Sequence, residues 1–591
     1  MNIIGINAYH GDASAALVVD GQLIAAVEEE RFNRIKHWAG FPAQSIRWCL
    51  ETANLKPSDI DHVAVSFNPR ANLLRRLGFV ATHWPSFGAI LDRLRRQGKT
   101  LGLEEQFAAA VGQNQSAIRA KFHRIEHHQT HVAAGFLISP FEESAVLSVD
   151  GMGDFTSTLT AHARGNDWTE LQRVFYPHSI GFLYTAITMY LGFPYYGDEY
   201  KVMGLAPYGE PEFADFFRRM IRPKGETFEL NLDYFTHHKS GIKMSWNEGA
   251  PVIQPFFSER LPRELGPVRD RREEMTSRHD NIAKSLQVVT EEIIMHMLNR
   301  LHDRTKSANI CMTGGVAMNS VANGKITTQT PFRNVYIPAG AADNGTSFGS
   351  AFYVWNHLLR KPRTFVQNHA YWGCQSTTED AIAAAAMIGV PFERLSEEEL
   401  VDRTTDLLIG GKVAGWFQGP MEFGARALGN RSLIADPRRT DMRDIINLRI
   451  KFREKFRPFA PSILEEQVGE WFEINEATPY MEKVFPIRKE KHNLIPAVTH
   501  VDGSGRLQTV SKQTNPLYHR LISRFFQKTG VPILLNTSLN ENEPIVRTPE
   551  EAIRCFLRTD MDVIVIGEIL IDRHRPDFPE QFRKRLEAKA D

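Results

Sequence analysis

Two histidines four residues apart, His127 and His131, lie in the stretch EHHQTHVAAGF, and a lone aspartate, Asp343, lies far downstream in AGAADNGTSFG. On a helix a spacing of four puts both imidazoles on one face. Two ring nitrogens from a helix and a carboxylate from a distant loop make an open metal site. The acidic turn at Asp150 offers further oxygen to the same site. In the first loop, which runs from Gly5 through His10 and Gly11 to Asp12 and Ser14, an imidazole and a carboxylate sit where a strand turns. Asp12 can orient a metal or a hydroxyl, and His10 can accept a proton near neutral pH. Each motif alone has a bland counterpart, a surface or core histidine pair in one case and a capping aspartate in the other. Together, and embedded in glycine-rich turns, they point to an enzyme.

These loops need elements to hold them. The chain opens on an apolar run, Ile3 to Ile6, then a polar turn, then Ala15 to Val19, Asp20-Gly21, and Leu23 to Val27. Asp-Gly between two apolar runs predicts a hairpin. The theme recurs as a strand from Ala145 to Val149, an acidic glycine turn from Asp150 to Asp154, and a strand from Phe155 to Thr160. Such duplication marks a two-lobed ATPase with nucleotide between the lobes. Helices are predicted over 281–304 and 312–327. Between them a short strand, Asn309 to Met312, ends in Thr313-Gly314-Gly315. A strand, a double glycine and a helix present backbone N–H groups to an anion. Gly314, Gly315 and Asn319, with Gly151 and Gly153 of the acidic turn, are the candidate nucleotide contacts. Residues 245–280, rich in proline and charge, are predicted to be a long connection. A break is predicted between 355 and 375, followed by helices over Glu379 to Ile388 and Glu397 to Ile409 and a strand over Val413 to Phe417. The expected domains are therefore 1–360 and a mixed α/β domain over 370–575, with a charged tail at 576–591.

The second domain holds the densest charge. From Arg426 to Arg457 there are eight Arg and two Lys against four acidic residues. Paired Arg forks suit a polyanionic small substrate. The alternative is a solvated basic face. Against it stand the Gly-rich start of the cluster, its Asn430-Arg431-Ser432 triplet, and the rigid run Arg457-Pro-Phe-Ala-Pro461 at its end. Two further polar stretches, His500 to Gln508 with Asp502 and Arg506, and the buried strand ending in Asn536-Thr537-Ser538, suggest one pocket with it.

Composition bounds the rest. The chain has 591 residues, 42% hydrophobic and 24% charged, with 70 basic against 70 acidic residues and a formal net charge of +0. That balance argues against a nucleic-acid coat. The four cysteines, Cys49, Cys311, Cys374 and Cys555, form no CxxC pair and fit a reducing compartment. With no signal-peptide pattern and no apolar run of membrane-spanning length, a cytoplasmic protein without membrane or nucleic-acid partners is expected.

The motifs resemble those of a known family. GINAYHGDASAALVVDG, AVEEERFNRIKHWAGFP, EHHQTHVAAGF, DEYKVMGLAPYG, GGVAMNS, GARALGNRSLIADPR, KFREKFRPFAPS and LLNTSLNENEPIV are similar, in this order, to the O-carbamoyltransferases of the NodU/CmcH type. The resemblance runs from residue 1 to about 570. It implies an α/β fold class, with a duplicated actin/Hsp70-like ATPase domain followed by a YrdC-like domain. It also implies that the YrdC-like domain makes carbamoyl-adenylate from carbamoyl phosphate and ATP. The N-terminal domain then passes the carbamoyl group to a hydroxyl of a small-molecule acceptor. The implied metal, iron first and magnesium or manganese as alternatives, is held by His127, His131 and Asp343, with Asp150 beside them. Arg426, Arg431, Lys451, Arg453 and Arg457 become the candidate contacts for the two anionic substrates, with Ser432, His500, Asp502, Arg506, Asn536 and Thr537. His10 becomes the candidate base with Asp12 in support, and Lys36 and Asp198 line the acceptor mouth. Many family members have His and Asp adjacent in the first loop; here Gly11 separates them, which leaves open which of the two faces the acceptor. A homodimer is allowed. The competing readings are an actin-like ATPase or sugar kinase, a threonylcarbamoyl transferase acting on tRNA, and a non-catalytic interaction protein.

Overall fold

The computed structural model describes residues 1–83, 102–245 and 251–583. Its contacts divide the chain into two compact units, Met1–Gln367 and Asn368–Asp591. In unit 1 the first apolar runs form an antiparallel meander, β1 (Asn2–Asn7), β2 (Ser14–Val19) and β3 (Gln22–Glu28). Asp20 and Gly21 join β2 to β3 with φ of 47° and 81°, the left-handed pair that a two-residue hairpin turn requires. β4 (His62–Val65) runs parallel to β1, and β5 (Lys121–Arg124) parallel to β4, giving the order β3-β2-β1-β4-β5.

A second sheet repeats this plan. β6 (Glu143–Gly153), β7 (Thr156–Arg164) and β8 (Asp167–Phe175) form the meander. Two small hairpins follow, β9 (Ile221–Lys224) with β10 (Thr227–Leu230), and β11 (Met244–Ser245) with β12 (Val252–Ile253). β13 (Asn309–Thr313) then lies parallel to β6 and β14 (Asn334–Tyr336) parallel to β13, so the order is β14-β13-β6-β7-β8. Unit 1 is a duplicated α/β fold of the actin/Hsp70-like kind. Ile3, Ile4, Leu17, Val146, Leu147 and Ile310 are wholly buried in it.

Three local expectations are corrected. The acidic stretch from Asp150 is not itself the turn. β6 continues to Gly153 with a register shift after Val149, and the chain reverses at Asp154 and Phe155, with φ of 47° and 74°. Residues 312–327 are not one helix. Gly314 has φ of 92°, and the Asn319 side chain accepts from the Ala322 N–H, so the segment breaks into a turn at Gly315–Met318 and single helical turns at Ser320–Asn323 and Ile326–Gln329. The expected connection over 245–280 carries β12 and a helix at Arg260–Leu265, and residues 246–250 lie outside the described ones. The helix predicted over 281–304 spans Ser277–Thr305.

Unit 2 is built on a mixed nine-stranded sheet. Its strands are β15 (Glu393–Arg394), β16 (Ala414–Phe417), β17 (Arg431–Ala435), β18 (Ala460–Leu464), β19 (Lys483–Pro486), β20 (Ser504–Val510), β21 (Ile533–Ser538), β22 (Val563–Ile566) and β23 (Ile569–Asp572). Their order is β15-β23-β22-β16-β17-β21-β18-β20-β19. The helices Thr378–Ile388 and Glu397–Ile409 both start at reciprocal caps, Thr377 with Asp380 and Ser396 with Glu399. Trp416, Tyr518 and Phe556 sit in the core between sheet and helices. Of the tail, a helical turn at Glu580–Arg583 is described and 584–591 lie outside the described residues. All four cysteines are buried free thiols, and among the described residues no helix is long and apolar enough to cross a membrane.

Candidate active site

The helix His127–Phe136 begins at Glu126, whose side chain accepts from the Gln129 N–H. Asp154, at the tip of the β6–β7 hairpin, accepts from the His127 N–H at 3.0 Å and from the Asn68 N–H at 2.7 Å, which pins the first turn. From this turn His127 and His131 bring their Nε2 atoms to 3.1 Å from each other. Asp343 Oδ1 lies 3.4 Å from both, and Asp150 Oδ2 lies 3.5 Å from His127 Nε2. Neither imidazole is exposed to solvent. The four residues named from the sequence thus converge.

The separations fit a cation. Donors about 2.1 Å from one ion stand about 3.0 Å apart in an octahedron and about 3.4 Å apart in a tetrahedron. His127 Nδ1 faces the Ser66 carbonyl at 3.3 Å, which leaves Nε2 to turn inward as a lone pair. Asp343 Oδ1 is buried and makes no hydrogen bond. Burial alone would keep His127 neutral, but the Asp150 and Asp343 carboxylates outweigh it and hold its pKa well above the usual value. The same two carboxylates would attract a cation. Two imidazoles and two carboxylates suit iron, manganese or zinc better than a soft-ligand metal.

Gly153, at the end of β6, lies against His127. A Cβ there would stand 2.0 Å from His127 Cδ2, so the ring can lie against β6 only because residue 153 has no side chain. The sequence places Gly153 among the candidate nucleotide contacts, whereas here it makes room for the His127 ring. Gly153→Ala is expected to displace the ring and to lower metal affinity by about 10–100-fold, the usual cost of disturbing a ligand's support. Metal titration of the purified variant checks this.

Gly314 and Gly315 close the pocket from the other side, with the Gly315 N–H donating to Asp150 Oδ1 at 2.8 Å. Gly151 lies opposite Gly181, where an added Cβ on Gly181 would approach the Gly151 Cα to 2.8 Å. Asn319 is placed otherwise than expected. Its amide exchanges two 3.0 Å hydrogen bonds with buried Gln287 and caps the next helical turn, so it serves the fold of the loop.

The first loop separates His10 from Asp12. His10 is half-buried, with its ring centroid 4.4 Å from that of His127. Burial, reinforced by the neighbouring His127, lowers its pKa to about 4, so it is a neutral imidazole at the edge of the four-residue cluster. Asp12 instead pairs with His37, Nδ1 to Oδ1 at 2.7 Å. Asp12 therefore does not support His10 through a hydrogen bond. Lys36 stands close enough to Glu30 and His37 to act on both charges, and Asp198 is buried in an ion pair with Lys201 at 2.9 Å. Sequence reasoning missed His37, although it is adjacent to Lys36. It also missed Tyr196, whose phenol is held well above its ordinary pKa by burial and then by the charges of Asp343, Asp12 and Asp150.

In unit 2 the basic cluster divides. Arg431 is fully buried and stacked on Phe417, and donates to the carbonyls of Gln418, Gly419, Asn430 and Cys374. Burial lowers its pKa to about 10. Lys451 donates from Nζ to the Ser538 carbonyl and to the Asn540 carbonyl and Oδ1. The Ser432 hydroxyl accepts from the Gly429 N–H. Asn536 donates to Ala427, Ser462 and Gln508. These four make hydrogen bonds within the unit. Thr537 is half-buried on β21, paired across the sheet with Leu433. Arg453 donates to Asn447 Oδ1 and lies over Phe459, Arg457 stands 3.6 Å from Glu454, and Asp502 stands 3.7 Å from His500. Arg426 is half-exposed in the FGARALGN loop, and Arg506 is half-buried on β20. The loop around Arg426 is organised by Glu422, a residue the sequence reading passed over. Its Oε1 accepts from the N–H groups of Leu428, Asn430 and Arg431 at 2.7, 2.8 and 3.1 Å. Arg431→Met is expected to cost about 2–4 kcal/mol of stability, because several buried carbonyls lose their donor. A fall in the denaturant midpoint with an unchanged KM for ATP is the expected result.

With this geometry described, comparison with known proteins decides the family. Residues 2–352 match the family model described as Carbamoyltransferase N-terminus, and residues 405–573 match Carbamoyltransferase C-terminus. The chain belongs to the carbamoyltransferase family. It is 38% identical to the nodulation protein NolNO of Sinorhizobium fredii over 98% of this chain and 81% of that one. An uncharacterized protein of Synechocystis sp., sll1178, is 38% identical over 99% of this chain and 98% of its own length. The 3'-hydroxymethylcephem-O-carbamoyltransferase of Amycolatopsis lactamdurans is 35% identical over 43% of this chain and 47% of its own. The NodU/CmcH-type assignment follows, and with it a transferase that moves carbamoyl groups. The matched N-terminal segment contains the whole His127, His131, Asp150 and Asp343 cluster, as well as His10, Asp12 and His37.

Proposed function

We propose that this carbamoyltransferase works in two half-reactions. Unit 2 converts carbamoyl phosphate, ATP and one water to carbamoyl-adenylate, pyrophosphate and phosphate. Unit 1 passes the carbamoyl group to a hydroxyl of a small-molecule acceptor. The observation that supports this best is the closure of His127, His131, Asp150 and Asp343 into one buried cluster with cation-sized spacing. A divalent metal held by these four would supply positive charge beside the carbamoyl carbonyl or the phosphate of its donor. Iron is the first candidate, with magnesium or manganese as alternatives.

The protein's own groups supply the rest. The Gly315 N–H donates to Asp150 Oδ1, the Gly314 N–H donates to the Ala341 carbonyl, and Gly151 lets Gly181 of the helix Ile180–Tyr190 pack close. His10, held neutral beside His127, borders the four-residue cluster. In unit 2, Arg426, Arg453, Arg457 and Arg506 remain the candidate cations for two anionic substrates that must approach each other. Glu422 and Arg431 hold the loop from which Arg426 projects.

The test is direct. Purified protein is incubated with ATP, carbamoyl phosphate and a panel of hydroxylated metabolites, and the acceptors are examined for a carbamoyl mass increment. Pyrophosphate and a carbamoylated hydroxyl are expected. ADP and a phosphorylated acceptor would instead identify a kinase on the same fold.

A further inference from the structure

His37 and Asp12 are 25 residues apart in the chain and meet at 2.7 Å through Nδ1 and Oδ1. Both have left-handed backbones, with φ of 53° and 56°. Residues held in that region mark places where surrounding structure imposes a geometry, often for function. The imposing contacts are visible. The His37 N–H donates to Glu30 Oε2 at 2.8 Å, and Arg31 Nη1 donates to Glu30 Oε1 at 2.7 Å. These bonds occupy the carboxylates, and with Arg31 and Lys36 alongside, the trio Asp12, Glu30 and His37 is closed to a metal ion.

The other ring nitrogen is open. Nε2 makes no hydrogen bond to any described residue, and the His37 side chain is 28% exposed. Gly197, with φ of +86°, lies against it, and a Cβ at that position would stand 2.5 Å from Nε2. Any other residue at 197 would cover the nitrogen. The imidazole edge meets the ring of Tyr196, centroids 5.3 Å apart, and the Tyr196 phenol feels the charges of Asp12, Asp150 and Asp343 alike. The pair therefore flanks the same tyrosine as the candidate metal cluster. One nitrogen bound to a carboxylate and the other free beside a reaction site is the arrangement of a general base.

We propose that His37, oriented by Asp12, is the base that takes the proton of the acceptor hydroxyl, a role that rests on reading unit 1 as the transfer unit. In this step the acceptor O–H bond breaks and its proton moves to His37 Nε2. The oxygen bonds to the carbamoyl carbon. The bond from that carbon to the phosphate oxygen of the carbamoyl donor breaks, and the electron pair leaves with the phosphate. His10 then has no part in proton removal.

The electrostatics give the step a pH signature. Burial opposes charge on His37, but Asp12 and then Glu30 outweigh it, against Lys36, and raise its pKa to about 9. Arg31 from the same segment and Tyr196 and Glu199 from the facing one complete its charged surroundings. A base must be neutral to act, so transfer should climb about tenfold per pH unit from neutrality and level off near that value.

The experiment uses the full-length protein with ATP, carbamoyl phosphate and glycerol at molar concentration, and reads carbamoylated glycerol by mass alongside pyrophosphate. His37→Asn can still donate to Asp12 and so keeps the local packing. It is expected to lose about 10²–10⁴-fold in transfer and the alkaline climb, while pyrophosphate release continues. In His37→Ala, added imidazole is expected to restore part of the rate. Transfer by His37→Asn at the wild-type rate with the same pH profile overturns the proposal. Wild-type protein that makes no carbamoylated glycerol at any pH overturns the transfer reading itself, and the proposal with it.

Discussion

His127→Ala and His131→Ala will each empty the metal pocket and halt carbamoyl transfer while pyrophosphate release continues. The reasoning is electrostatic. Asp150 and Asp343 are buried carboxylates facing the two imidazoles, and a cation among the four would balance their charge. Removing one imidazole takes away a donor and opens the cage, so the loss of affinity should exceed the roughly 10–100-fold seen when only a ligand's support is disturbed. The remaining carboxylates must then take up a proton or a weakly held ion. Elemental analysis of the purified variants should find metal far below stoichiometry. Loss of both half-reactions together would contradict the division of labour between the units.

Glu422→Ala is expected to be the most damaging substitution in unit 2. One carboxylate oxygen receives three backbone N–H groups of the loop that carries Arg426, and all three would be left buried without an acceptor. Each unsatisfied donor costs about 1–3 kcal/mol. The same carboxylate is the first charge that favours the buried Arg431 cation against its desolvation. A loss of about 3–5 kcal/mol is expected, read as a lower denaturant midpoint, together with collapse of adenylate formation. Glu422→Gln keeps an acceptor oxygen and should retain most of the stability. Equal damage from Gln and Ala would show that charge, not the three hydrogen bonds, organises the loop.

The convergence of His127, His131, Asp150 and Asp343 was legible in the sequence because its signals are local. A spacing of four on a helix, an acidic turn after a strand and an aspartate opening a glycine-rich segment each announce themselves within a few residues. Their convergence needed only the duplicated strand–turn–strand theme. The Asp12–His37 pair was not legible in the same way. Its partners are 25 residues apart, neither lies on a periodic element, and the bond depends on two left-handed backbones that sequence does not display. The inward turn of Arg431 was not legible for a different reason. Arginine count reports charge but not direction, and this guanidinium turns inward onto four carbonyls. Glu422 was overlooked because a carboxylate serving backbone N–H groups looks like any other acid in a loop. Gly153 was taken as a backbone that approaches a ligand, and the close approach is real, but the neighbour is His127.

The most direct test of carbamoyl activation by adenylation needs no acceptor. Wild-type protein, supplied with ATP and labelled pyrophosphate, should return label to ATP only when carbamoyl phosphate is present, and His127→Ala should do the same. Exchange that ignores carbamoyl phosphate, or ATP turnover that yields ADP alone, would contradict the account.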